Sequence, residues 1–349
     1  MLFVSTISAK FVDEMGGETM ASEDHQRHHV SLFPFMAKGH TIPFLHLARL
    51  LVGRNATVTF FTIPSNQTFV TNFLSDLITT TNRISIISLP FPAVDGAAAS
   101  FPEIPVWIPT HDMKPHFETS LETLRDPPLT FMVTDDLFLS GVLPKVRESE
   151  DEDQPFSVPG FSWLKLSSSD IPPTDSDSRQ TRGFLMDCAI SSKNSFGYIV
   201  NSFYELEPAF ADSMPKAWPV EPLCLVGGDH NKAAARDDRE STISGEQLQE
   251  IKIGLEKSGV NFLWVVRNKK HSEIISGDDG FEERVASRGL VVREWVDQRE
   301  ILGHESVQGL TNCGWNSVCE SVCAKVPILA WPMMADQLIH ARLVAQEIN

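Results

Sequence analysis

The chain has 349 residues, with 29 Lys and Arg against 46 Asp and Glu, a formal net charge of −17 at pH 7. Its composition, 42% hydrophobic and 21% charged, is that of a globular protein rather than a disordered one, and its length fits two domains. The acidic balance argues against nucleic acid or an anionic membrane as main partner, since both reward basic surface, and no run approaches the ~18 apolar residues of a membrane span.

The five cysteines, Cys188, Cys224, Cys313, Cys319 and Cys323, are sparse and odd in number. That points away from a secreted disulfide scaffold and toward a reducing, cytoplasmic location. Residues 1–27 open with a short apolar stretch, lack a basic n-region and soon turn acidic, so they read as a flexible extension and not a signal peptide. From His28 the pattern alternates. HHVSLFPFMA (28–37) predicts a buried strand, followed by a helix carrying Phe44, Leu47, Ala48 and Leu51 on one face and stopped by Gly53. ATVTFFTIP (56–64), RISIISLPF (83–91) and LTFMVTDDLFL (129–139) predict further strands.

Residues 145–180 break this rhythm with the acidic run 148–153 and recurrent prolines, a solvated loop in composition. GYIVNSFYELE (197–207) predicts a strand running into a helix capped by Asn201 or Ser202. The polar stretch 227–244 reads as a linker. Beyond it, GEQLQEIKIGLEKSG predicts a helix, NFLWVVR (261–267) and GLVVREWV (289–296) strands, and 309–332 a strand, turn, helix and strand. Alternation of this kind points to an open α/β architecture, a parallel sheet covered by helices, in two similar halves joined by a polar linker, and in such sheets ligands gather at the carboxyl ends of strands. The boundaries fall at 28–226 for the first domain and 245–349 for the second.

Dinucleotide, phosphate-loop, nucleophile-elbow and paired C-x-x-C motifs are absent. Cys319 and Cys323 lie one helical turn apart and read as small buried hydrophobes rather than metal ligands. The segment 295–337 carries the most chemistry. Cys313-Gly314-Trp315-Asn316-Ser317 forms a turn from strand to helix, and Asn316 and Ser317 are expected to cap that helix. Its N–H groups and dipole then make a ready anion site. Glu320 one turn later suits a ribose diol, Trp295 offers an aromatic face for a base, and Asp336-Gln337 supplies an acceptor and an amide for sugar hydroxyls.

Here the chain resembles the plant family 1 UDP-dependent glycosyltransferases, whose signature runs W-x-x-Q, H-C-G-W-N-S, E and D/E-Q. The resemblance extends through FPFMAKGHTIPFLHLARLL, TFFTIPSNQTFV, FMVTDDL, VNSFYELE and NFLWVVR. It implies two facing Rossmann-like domains (the GT-B fold), the first for the acceptor and the second for the UDP-sugar. By resemblance, Trp295 stacks on uracil, Val296 bonds the base edge through its backbone, and Gln298 and Glu320 hold the ribose. Asn312, Trp315, Asn316 and Ser317 line the diphosphate, and Asp336 and Gln337 hold the sugar. His40 corresponds to the general base and Asp135 to the acid that orients it, with Asp136 beside it as the alternative in register. The implied reaction moves glucose from UDP-glucose to a hydroxyl of a small lipophilic acceptor with inversion. It needs no metal or cofactor, since the UDP-sugar is a co-substrate, and its partners are that donor and a small-molecule acceptor.

The chain departs from the family pattern in four places. Asn312 stands where the family has a phosphate-contacting histidine, so donor binding is expected to be weaker. GLTNCGW is one residue closer to the first Trp than in the family. The first strand of the second domain is missing after the linker, and acceptor-domain helices and a strand are missing after LFLSG (137–141). The sequence ends at Asn349, inside the helix after Asp336-Gln337, which predicts an incomplete second domain. These departures support an alternative reading: an inactive remnant that at most binds nucleotide.

Overall fold

Val30, Leu32, Val58, Phe60 and Phe61 are all buried, as befits strands covered on both faces in a parallel sheet. The computed structural model describes residues 4–7, 28–91, 107–135, 156–158, 161–167, 187–188, 190–192, 194–214, 216–226, 243–266, 269–275, 280–294, 296–333 and 336–348. They divide into two compact units, Met1–Gly228 with Glu305–Asn349, and Asp229–His304. No helix among the described residues is long and apolar enough to cross a membrane.

In the first unit, β1 (Val4–Ile7) precedes β2 (His29–Phe33), α1 (Lys38–Gly53), β3 (Thr57–Thr62), α2 (Pro64–Phe73), α3 (Ser75–Thr80) and β4 (Ile84–Ser88). Then come α4 (Trp107–Thr123), β5 (Phe131–Asp135), an antiparallel pair β6 (Phe156–Val158) and β7 (Phe161–Leu166), β8 (Gly197–Val200), α5 (Pro208–Ser213) and β9 (Ala217–Pro219). Seven strands form one sheet in the order β4-β3-β2-β5-β1-β8-β9. The β2, β3, β4 and β5 pairings are parallel, which follows from the helical crossovers between them. Phe44, Leu47 and Ala48 of α1 are buried, and the helix closes at Gly53 as its sequence predicts. On the β3–β4 side, Phe61, Ile63, Leu89 and Met113 form a core that Phe117 and Leu121 of α4 complete.

Two features of this unit differ from the sequence reading. Val4–Ile7, expected within a flexible extension, is a strand paired antiparallel with both β5 and β8. No side chain caps α5, which starts at Pro208, and Asn201 is committed elsewhere, so neither Asn201 nor Ser202 is a helix cap.

The second unit begins with α6 (Gly245–Ser258), whose start is fixed by a reciprocal pair. Ser244 Oγ accepts from Gln247 N at 3.1 Å, and Ser244 N donates to Gln247 Oε1 at 3.0 Å. Gly259, at φ +70°, ends the helix in the left-handed conformation that glycine adopts without steric cost. The strands β10 (Phe262–Val265) and β11 (Gly289–Val292) pair in parallel, with α7 (Lys269–Ile275), α8 (Phe281–Val285) and α9 (Gln298–Leu302) alongside in the chain. Leu248, Val266, Ile275, Phe281 and Val285 make the core of this unit.

The returning segment holds β12 (Leu310–Thr311), α10 (Trp315–Ala324), β13 (Ile328–Leu329) and α11 (Gln337–Leu343). β12 and β13 form a parallel pair in regular register, with no bulge to absorb the shortened spacing before CGW. Among the described residues this pair and β10–β11 are separate two-stranded sheets. The expected domain of residues 245–349 is therefore split: 305–349 groups with the first unit. Within the first unit Ile339 and Leu343 pack against Leu164, Leu166, Val200 and Phe210, and Trp315, Val318 and Cys319 against Cys224. Residues 227–242 of the expected linker and the acidic run 148–153 lie outside the described residues.

The separate core of the second unit predicts a local effect for Leu248→Ala. Its cost, about 2–5 kcal/mol for a buried leucine, should appear as faster hydrogen exchange in Gly245–Val292, with Phe131–Asp135 unchanged.

Candidate functional site

Strands β2 and β5 are neighbours, with Phe33 opposite Thr134, so their carboxyl ends deliver adjacent groups. After β2 the chain turns through 34–37 into α1, which puts His40 in the first helical turn. Asp135 is the last residue of β5. Its Oδ2 lies 2.9 Å from His40 Nδ1 and also accepts from Phe35 N at 3.2 Å. The Phe35 ring meets the imidazole edge-on at 5.1 Å. The Asp135 side chain is only 5% exposed and that of His40 22%, so the carboxylate is held in the protein while the ring reaches solvent. Burial pushes the His40 pKa down, but the Asp135 carboxylate, through its charge and hydrogen bond, and the charge of Asp336 outweigh it. The net direction is upward from the ordinary 6.5. Asp136, the other candidate, lies outside the described residues.

The signature loop runs from β12 into α10. Asn312 Oδ1 accepts from Cys313 N at 2.6 Å and from Gly314 N at 3.0 Å, so its oxygen faces into the loop. Gly314 is the N-cap of α10 and no side chain caps the helix, so Asn316 and Ser317 occupy its second and third positions instead of the cap expected for them. The first-turn N–H groups have no acceptor within the helix, as at any helix start. Asn316 instead donates from Nδ2 to Gly39 O at 2.8 Å, tying the signature loop to the turn that carries His40.

Trp315 is 2% exposed, and its indole N–H donates to Asn201 O at 2.9 Å. The ring packs in the core beside His340, so the backbone and not the ring of Trp315 is what the loop presents. Gln337 opens α11 and accepts from Met333 N at 2.8 Å, and a Cβ at Gly314 would lie 4.0 Å from its Nε2. Asp336 precedes it, with Oδ2 3.4 Å from His340 Nε2. Glu320 is half-buried on α10. The structure thus brings His40, Asp135, Asn312, Asn316, Asp336 and Gln337 into one region of the first unit. Val296 and Gln298 belong to the second unit, where Gln298 opens α9 behind an Asp297 cap that accepts from Arg299 N and Glu300 N. Trp295 lies outside the described residues. Cys313 and Cys319 are buried, and among the described residues no group of three metal-ligating side chains is placed to hold an ion.

Sequence reasoning missed two organising residues. Asn201, just past β8, accepts from Trp315 Nε1 through its carbonyl and from Leu223 N through Oδ1 at 2.8 Å, and its Nδ2 reaches Asn316 Oδ1 at 3.5 Å. Its one available signal was an Asn at the carboxyl end of a strand. His340 is fully buried with Nδ1 3.0 Å from Cys313 O, which makes Nδ1 the donor and fixes the loop carbonyl. Burial, more than any other effect, pushes its pKa down to about 4.

A histidine–carboxylate pair at adjacent strand ends, with a Gly-Trp-Asn-Ser helix start bonded to the backbone of the turn before the histidine, is the layout of an α/β group-transfer enzyme. The family follows from comparison. The sequence profile described as UDP-glucoronosyl and UDP-glucosyl transferase matches residues 240–348. UDP-glycosyltransferase 90A1 of Arabidopsis thaliana is 38% identical over 399 aligned residues, covering 92% of this chain and 82% of that protein. UDP-glycosyltransferase 73C25 of Barbarea vulgaris is 31% identical, covering 92% and 80%. The structure of Phytolacca americana UGT2 complexed with UDP-2fluoro-glucose and pterostilbene superimposes with a TM-score of 0.71 at 25% identity, covering 93% of this chain and 84% of that one. The chain belongs to the plant family 1 UDP-glycosyltransferases, and its fold class is GT-B. An alignment longer than the 349-residue chain also requires gaps opposite the relative, so part of the shortening is internal.

The depressed His340 pKa carries a sign. The unfolded state takes up this proton near pH 6.5 and the folded state only near 4, so stability falls as pH drops through that window. Urea midpoints measured between pH 7 and 4.5 should decline, and His340→Gln, which keeps a donor for Cys313 O, should flatten that slope.

Proposed function

We propose that the protein transfers glucose from UDP-glucose to a hydroxyl of a small lipophilic acceptor, with inversion at the anomeric carbon. The observation that carries this reading is the 2.9 Å contact between His40 Nδ1 and Asp135 Oδ2. With Nδ1 committed to the carboxylate, Nε2 is the ring nitrogen that takes the acceptor's proton. Asp135 holds the tautomer and stabilises the imidazolium that forms. The acceptor oxygen then attacks the anomeric carbon from the face opposite the diphosphate. A bond from that oxygen to carbon forms, the bond from carbon to the diphosphate oxygen breaks, and UDP leaves with the electron pair. The first-turn N–H groups of α10 meet the charge developing on the diphosphate, so the reading needs neither metal nor cofactor.

Glu320 takes the ribose in this reading, and Asp336 and Gln337 the sugar hydroxyls. Trp315 and Ser317 contribute backbone N–H groups beside Asn312 and Asn316. The glucose donor draws support from the Phytolacca relative, whose structure holds a fluorinated UDP-glucose, and the lipophilic acceptor from the pterostilbene bound there. A cytoplasmic location accords with five sparse cysteines, all of them free.

UDP release from UDP-glucose in the presence of flavonoid and terpenoid alcohols tests the reading. His40→Ala should lower kcat/KM by about 10²–10⁴-fold, and a wild-type rate no higher than that of this variant would sink the proposal. Because the base works neutral and its pKa is raised, the rate should climb with pH through a limb above 6.5. Asp135→Asn should move that limb down while lowering the plateau.

Asn312 supplies no positive charge to the diphosphate, and its oxygen is turned toward the loop N–H groups. Asn312→His should tighten UDP binding by about tenfold, the worth of one added charge-assisted hydrogen bond, as read by calorimetry.

A further inference from the structure

We propose that the N-terminal segment Val4–Ile7 is a substitute strand, filling a one-strand slot that the internal shortening of the chain leaves within its main sheet. β1 is the fifth of seven strands, between β5 and β8. It runs antiparallel to both, so β5 and β8 run in the same direction. The pairings of β2, β3, β4 and β5, and of β8 with β9, are all parallel. The sheet is therefore two parallel blocks of common direction, separated by the width of one strand. In otherwise parallel sheets an antiparallel strand is commonly an edge strand, yet this one is interior.

The intervening sequence does not supply the slot. Between Asp135 and Gly197 the described strands are β6 and β7, and these pair with each other only. The relatives align over more positions than this chain has residues, so the chain lacks internal sequence that they possess. Without an occupant, β5 and β8 would each expose a row of unpaired N–H and C=O groups in the middle of the unit, which is costly and prone to wrong pairing. The occupant is suited to the place, since Val4, Thr6 and Ile7 are β-branched.

The register has a local consequence. Ser5 stands opposite Asp135 across the β1–β5 ladder, so the substitute strand also secures the backbone of the residue that contacts His40. That consequence rests on the proposed role of Asp135, whereas the sheet-filling role does not.

Hydrogen exchange on the full chain, with no UDP-sugar or acceptor present, tests the proposal independently of whether the protein is active. The amides of residues 4–7 should exchange about a hundredfold slower than in an unstructured peptide. Removing residues 2–8 should speed exchange in Phe131–Asp135 and Gly197–Val200 by a similar factor, and a synthetic peptide of residues 1–9 added in trans should restore protection. Thr6→Pro, which deletes a ladder donor, should reproduce the deletion, while Thr6→Val should not. Unprotected amides at 4–7 in the intact chain would overturn the proposal even if the deleted protein cannot fold. Unchanged exchange of β5 and β8 after the deletion would overturn it equally.

Discussion

The parallel ladder between β2 and β5 is the constraint on which the rest depends. It sets Phe33 against Thr134, and one step further each strand gives up its chain to the site. From β2 comes the turn to His40, and from β5 comes Asp135. A buried sheet is stiff on the scale of a hydrogen bond, so the 2.9 Å contact is set by backbone register and does not rely on a flexible loop. The second anchor of that carboxylate, Phe35 N, belongs to the same turn, and this orients the acid before any substrate arrives.

Much of this was legible in the sequence because it is local. Apolar runs such as SLF and TFFT mark strands buried on both faces, Gly53 marks a helix end, and Ser244 with Gln247 makes a box four residues wide. The pairing of His40 with Asp135 was open to anticipation because strand ends in such sheets converge. What escaped was set by partners distant in sequence. Asn201 looks like a helix cap until Trp315, 114 residues on, turns its indole N–H toward it. His340 looks like a surface helix residue until Cys313 O claims its ring. Asn316 and Ser317 read as caps because of their residue types, yet Gly314 takes the cap position and the Asn316 amide goes to Gly39.

The two halves differ in the continuity of their described sheets. In the first unit β1 occupies the interior of the sheet and seven strands remain continuous. In the second half no described strand bridges β10–β11 and β12–β13, and the segment 305–349 finds its core against β7, β8 and Cys224 instead. The signature loop survives this division because its own supports, Asn201, Gly39 and His340, all lie in the unit it joins. Hydrogen bonds to the first unit thus hold the loop where a continuous second-domain sheet does not.

The short pair β12–β13 leaves apolar side chains in water, with Leu329 69% exposed and Trp331 beyond it 47% exposed. Against that stands a net charge of −17, whose mutual repulsion keeps copies apart at low ionic strength. Salt shortens the reach of that repulsion to about 10 Å at 0.1 M without weakening apolar association. The acidity of the chain therefore opposes apolar association between copies most strongly at low ionic strength.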